Sequence, residues 1–267
     1  MATISLVPLA GDASLPERVD ITVTSPPVGA AFISVYSIAD VQSAVRNANR
    51  APVSGGFFVT DFQVPLGVPV TYRAEYFDAA GTSLGLSGDA VTQVDSDPQF
   101  IVIQDPLAPK RFVKVDAPPS FASDVGRRRA VSVYNAGGRT VALMGELGLR
   151  SDVPINVSTR TIAQADMLED VLAEAPFLIR TMPNIVRLPP LFYGVTAGAV
   201  QTPVDVDTGG SWIRWELSAQ EVSPLLLDII EAVVTYARFK AAFATYAAAK
   251  AVYTTYLQAK QSPPPEV

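Results

Sequence analysis

Neither cysteine nor histidine occurs among the 267 residues. Their absence removes thiol nucleophiles, disulfides, zinc sites of the usual Cys/His kind and the side chain best suited to proton transfer near neutral pH. Charge is also scarce, at 17% of residues with a net charge of −6. A mildly acidic chain lacks the basic face that displaces counterions from phosphates, so nucleic acid is not an expected partner. Long apolar runs are missing as well. Leu225 to Thr235 comes nearest, but Asp228 and Glu231 interrupt it and Arg238 and Lys240 follow, short of the roughly 20 apolar residues of a spanning helix. No membrane insertion is expected. Met1 to Leu15 has no basic start and contains Pro8 and Asp12, so it reads as a first strand rather than a signal peptide, with assembly in the cytoplasm.

What is present favours many short strands. Hydrophobic residues make up 49% of the chain, enough to bury cores, and the 22 prolines and 17 glycines are spread along it as punctuation. Val19, Ile21 and Val23 alternate with Asp20, Thr22 and Thr24, the two-residue period of a strand with one wet face. Val70, Tyr72, Ala74 and Tyr76 repeat it, with Thr71, Arg73 and Glu75 outward. Phe32 to Tyr36 and Phe57 to Phe62 supply two more strands rich in aromatic and β-branched residues. Asp78-Ala79-Ala80-Gly81-Thr82 follows a strand directly and is the best hairpin turn in this region. The stretch from Val70 through Tyr72 and Tyr76 to the Asp78–Gly81 turn resembles the last hairpin of a fibronectin type III domain, which implies a β-sandwich of immunoglobulin-like size over residues 1–97.

Asp95-Ser96-Asp97-Pro98 is polar and ends in a residue that blocks strand continuation, so a domain boundary is expected there. A second β-sandwich or barrel over residues 98–224 then has strand candidates at Phe100 to Ile103, Phe112 to Val115, Ala130 to Tyr134, Ile155 to Thr159, Phe177 to Thr181 and Trp212 to Val222. One helix, 162–175, interrupts them. Thr161 as N-cap with Gln164 forms a capping box, Ile162, Ala165, Leu168 and Leu172 share a face, and Pro176 ends it. After Pro224 the composition turns to alanine, tyrosine, phenylalanine and lysine, which predicts a long amphipathic helix over 225–260. Its seam of Ile229, Ala232, Tyr236, Phe239, Phe243, Tyr246, Lys250, Tyr253 and Leu257 steps by threes and fours, the spacing of helices packed side by side. At ~1.5 Å per residue it would reach on the order of 40 to 50 Å, more than a small domain needs. Residues 261–267 hold three prolines and are expected to be disordered or extended.

Few groupings suggest chemistry. Asp205-Val206-Asp207-Thr208-Gly209-Gly210 with Glu216 partly copies a calcium loop, but Gly209 stands where an oxygen ligand belongs and a strand follows where a helix should. An acidic hairpin loop is the plain alternative. Arg127-Arg128-Arg129 lacks glycine-rich or aromatic company and suits a solvated loop or an inter-subunit salt bridge. Asn135-Ala136-Gly137-Gly138 is a turn without the Gly-Lys-Ser/Thr ending of a phosphate loop. Glu216 and Glu221 have opposite parity on one strand, so they are not a glycosidase pair. Any serine nucleophile would need lysine as its base, and no Ser-x-x-Lys occurs. Neither enzymatic activity nor a cofactor is expected.

Parity also places Ile213, Trp215, Leu217 and Ala219 on the core face of the last strand, with Trp212, Arg214, Glu216, Ser218 and Gln220 on the other. An indole on a polar face can meet a neighbouring subunit, pack within its own domain or stack on a sugar. The expected interface residues are Trp212 and Arg214 with the helical Tyr236, Phe239, Phe243, Tyr246, Tyr253 and Leu257.

The run Gly138-Arg139 through Asn156-Val157-Ser158-Thr159-Arg160, the capped helix to Ala175 and then Phe177-Leu178-Ile179-Arg180 resembles the β-rich domain of minor tail proteins from phages of actinobacteria. Trp212-Ile213-Arg214-Trp215-Glu216-Leu217 followed by an alanine-rich helix carrying Thr235-Tyr236-Ala237 and Thr245-Tyr246-Ala247 is similar too. This resemblance covers about Phe100 to Gln258 and lies in pattern and order. It implies a non-enzymatic virion component of a long-tailed phage, a minor or distal tail protein at the tail tip. Such a protein forms, or decorates, a trimeric or hexameric ring that links tail tube to adsorption apparatus, and its partners are its own copies and other tail proteins. A carbohydrate-binding module for host-surface glycan is the competing expectation, carried by Trp212.

Overall fold

A computed structural model describes residues 3–118, 121–122, 127, 131–136, 139–144, 148–174, 176–183 and 188–224, together with Phe243, Thr245, Ala248 and Lys250. The described chain is mainly β, built of antiparallel sheets, and falls into two compact units. The first gathers Met1–Asp97 with Pro106–Phe112, and the second Pro98–Asp105 with Val113–Pro224.

In the first unit the strands are β1 (Thr3–Leu9), β2 (Arg18–Thr24), β3 (Phe32–Ile38), β4 (Gln42–Ala44), β5 (Ala51–Pro52), β6 (Gly56–Asp61), β7 (Val70–Phe77), β8 (Ser83–Leu86) and β9 (Ala90–Thr92). One sheet runs β1-β2-β6 and the other β4-β3-β7-β8, with β5 on β3 and β9 on β7. Alternation decides which side chains enter the core. Val19, Ile21 and Val23 of β2 and Val70, Tyr72, Ala74 and Tyr76 of β7 are all buried, while the residues between them are half-covered. Pro8 is tolerated because β1 is an edge strand of its sheet. The β7–β8 turn closes as its residues require. The Asp78 carboxylate accepts the amides of Ala80 and Thr82 at 2.9 and 2.8 Å, and Gly81 takes the left-handed φ of +86°.

The second unit comprises β10 (Phe100–Gln104), β11 (Phe112–Asp116), β12 (Val131–Ala136), β13 (Arg139–Met144), β14 (Val153–Thr159), α1 (Ile162–Ala173), β15 (Phe177–Arg180), β16 (Leu191–Pro203) and β17 (Ile213–Glu221). Six of these strands close a barrel in the order β10-β11-β14-β17-β16-β15, whereas among the described residues β12 and β13 pair only with each other. Val153, Ile155 and Val157 of β14, Phe177 and Ile179 of β15, and Trp215, Leu217 and Ala219 of β17 fill the barrel. The Trp215 indole N–H is satisfied inside by the Thr159 hydroxyl at 3.0 Å.

Helix α1 begins as its capping residues dictate. The Thr161 hydroxyl accepts the Gln164 amide at 3.2 Å, and the Gln164 carboxamide oxygen accepts the Arg160 amide, one residue before the N-cap, at 2.9 Å. Its end differs from the expected 162–175. The helix stops at Ala173 and its C-cap Glu174 is extended, shortly before Pro176, a residue that cannot continue a helix. Its buried face is also shifted. Ala165, Leu168 and Val171 enter the barrel core, Leu172 is half-buried and Ile162 is exposed at the first turn.

Trp212 requires a further correction, since it precedes β17 and is not on that strand. β16 was not expected at all. Gly194, Gly198 and Pro203 break its apolar pattern, yet a Cβ at Gly194 would fall 2.7 Å from the Phe192 ring and 3.0 Å from the Phe177 ring. Only glycine lets those rings meet across β15 and β16. The expected helix over 225–260 and the tail 261–267 lie outside the described residues, apart from the four positions named above.

Candidate interface on the barrel wall

The residues expected to make contacts are brought together only in part. β17 pairs with β14 on one side and β16 on the other, so Ser158, Arg214 and Thr202 form one cross-strand row and Asn156, Glu216 and Val200 the next. Arg214, Glu216, Val200 and Thr202 are exposed, as the outward parity of a barrel strand demands. The wall is thus a mixed polar and apolar surface, with Val200 63% exposed.

At the end of these rows stands Trp212, 36% exposed. The Arg160 guanidinium lies over its ring at 4.8 Å from the centroid, and Arg160 Nε pairs with the Asp116 carboxylate. Such a stack is worth about 0.5–1 kcal/mol at an exposed site. It fixes the indole against its own domain while leaving part of it open. Neither Arg160 nor Asp116 stood out in the sequence. The register Thr159↔Ile213 brings Arg160 beside Trp212, and that register is a tertiary fact no local pattern supplies.

The Asp205 loop is held by its own carboxylate. One oxygen accepts the Trp212 amide at 2.8 Å and the other faces the Ser211 hydroxyl at 3.4 Å, with Asp207 on a short 3-10 turn, Val206–Thr208. Gly209 and Gly210 both take positive φ, +118° and +70°, which closes the hairpin. Glu216 stands on β17 opposite Asn156. Among the described residues no three acidic side chains gather as a metal ion would need. The loop carboxylate holds the Trp212 backbone amide.

Glu221, set at opposite parity to Glu216, ends β17 in an ion pair with Arg150 at 2.9 Å, the two side chains 13% and 14% exposed. Arg150 also receives the Glu221 amide on its carbonyl and donates its own amide to the Glu221 carboxylate, both at 2.8 Å. Arg127, the described member of the arginine run, pairs its backbone with that of Arg150 in an isolated antiparallel β-bridge. Arg128 and Arg129 lie outside the described residues. So do Tyr236, Phe239, Tyr246, Tyr253 and Leu257, whereas Phe243 is half-buried. Among the described residues no helix is long and apolar enough to cross a membrane.

No protein-family model matches the chain, and no curated protein matches it.

Proposed function

We propose that this chain is a non-enzymatic structural component of a bacteriophage tail tip, a minor or distal tail protein that forms a ring with its own copies or decorates one. In this reading residues 1–97 are a fibronectin III-like sandwich, 98–224 a ring-forming barrel domain and 225–260 a long helix packed on a neighbour, followed by the tail 261–267. The observation that carries the reading is the exposed wall of β14, β17 and β16, where Trp212, Arg214 and Val200 face outward from a closed barrel. Tryptophan and arginine anchors beside apolar residues are what buried interface centres are made of. The order of strands, capped helix and Trp-x-x-Trp segment adds the resemblance in pattern.

Light scattering after size exclusion, on the full chain at high concentration, is the test. A mass of three or six chains is the expected result, with Trp212→Ala shifting it toward monomer. A protein that stays monomeric and never enters particles overturns the proposal. Glycan-array binding that disappears in Trp212→Ala would replace it with attachment to a host-surface sugar.

A further inference from the structure

Two open β elements of the barrel unit remain unexplained by the fold. The β12–β13 ribbon pairs along its full length, from Val131↔Met144 to Ala136↔Arg139, and with no other strand among the described residues. A lone two-stranded ribbon is marginally stable in water. β16 has the converse defect. β15 covers one side of it only from Leu191 to Gly194, while β17 follows the other side as far as Pro203. Beyond Gly194 one edge of β16 therefore presents peptide N–H and C=O groups that no described strand takes up. A register shift between Thr196 and Ala199 and the proline at 203 bound the open stretch, leaving Ala199–Thr202 as a strand-addition site.

This edge is unguarded by charge. From Leu191 to Val204 there is no charged residue, and β12, Val131 to Ala136, has none either, whereas β13 begins with Arg139. Soluble proteins blunt exposed edges with lysine or inward charges, and their absence from both edges marks a pair that can join without burying a charge. Both strands belong to the same compact unit, yet they are not paired with each other within the chain.

We propose that β12 of one copy adds, by main-chain hydrogen bonds, to the Ala199–Thr202 edge of β16 in a second copy. The donor and acceptor are different surfaces, so the contact is heterologous and repeats around a ring. The proposal rests on the assembly reading above and names its contact.

The absence of cysteine makes the test direct. Val133→Cys and Val200→Cys are placed together in the full chain, which is oxidised mildly and run without reductant, with light scattering on the same sample. The expected result is a ladder of disulfide-linked multimers that each single variant fails to give. An oligomeric sample with no ladder, or a disulfide formed within one chain, overturns the strand addition and leaves the assembly reading intact. A strictly monomeric sample overturns both. As a second variant, Val200→Lys should raise the concentration needed for assembly about tenfold with an unchanged far-UV spectrum. Unaltered assembly in that variant counts against the proposal.

Discussion

At the scale of single residues, burial and pairing decide the outcome of substitution. Burial pushes the Asp20 carboxyl above its ordinary 3.8, while the Thr60 hydroxyl and Arg18 pull it back only in part. The native state thus holds this proton where the unfolded chain has released it. Its stabilising effect is complete below 3.8 and is lost as pH rises through the higher folded value. Asp20→Asn should accordingly be more stable than the parent at pH 7, by urea midpoint, with the advantage shrinking toward pH 3. The Arg150–Glu221 pair has the opposite character, because removing one partner strands the other. Glu221→Ala is expected to cost about 2 kcal/mol in the same measurement, as for a buried donor left without its acceptor. Thr159→Val should cost about 1–3 kcal/mol, since it leaves the buried Trp215 N–H unmatched.

At the scale of elements, period-two alternation was the most readable signal. Val19-Ile21-Val23 and Val70-Tyr72-Ala74-Tyr76 went to the core because adjacent strand residues must point to opposite faces. The Thr161 N-cap on the Gln164 amide was equally legible, being local hydrogen-bond chemistry, although the Gln164 side chain reaches Arg160 and not Thr161. β16 was not, because Gly194 answers to the packing of the Phe192 and Phe177 rings, the second from another strand, which no local pattern displays. Gly194→Ala should therefore destabilise the barrel by about 1–3 kcal/mol through overpacking, visible as a lower urea midpoint with an unchanged slope. Arg160 and Asp116 escaped notice for a related reason. Their meeting with Trp212 depends on which strand lies beside β17, and residues far apart in sequence carry no mark of that.

For the whole molecule, two compact units with separate cores should unfold in two calorimetric transitions. Asp20→Asn is expected to move one of them and Gly194→Ala the other, each leaving its companion in place. One merged transition that both substitutions shift together would show the cores to be energetically coupled. Assembly belongs to this scale as well. The wall around Trp212 and the open edge of β16 are surfaces whose use depends on other chains, so their energetics appear only in concentration dependence.

The sequence alone determined the mainly β character, the core alternation of β2, β7 and β17, the start of α1 and the lack of Cys/His chemistry. These follow from composition and from periods of a few residues, which the backbone enforces locally. Tertiary structure decided the barrel closure, the existence of β16, the Arg160–Trp212–Asp116 contact and the pairing of β12 with β13. Each of these depends on strand order and register, set by the total burial of side chains distant along the chain.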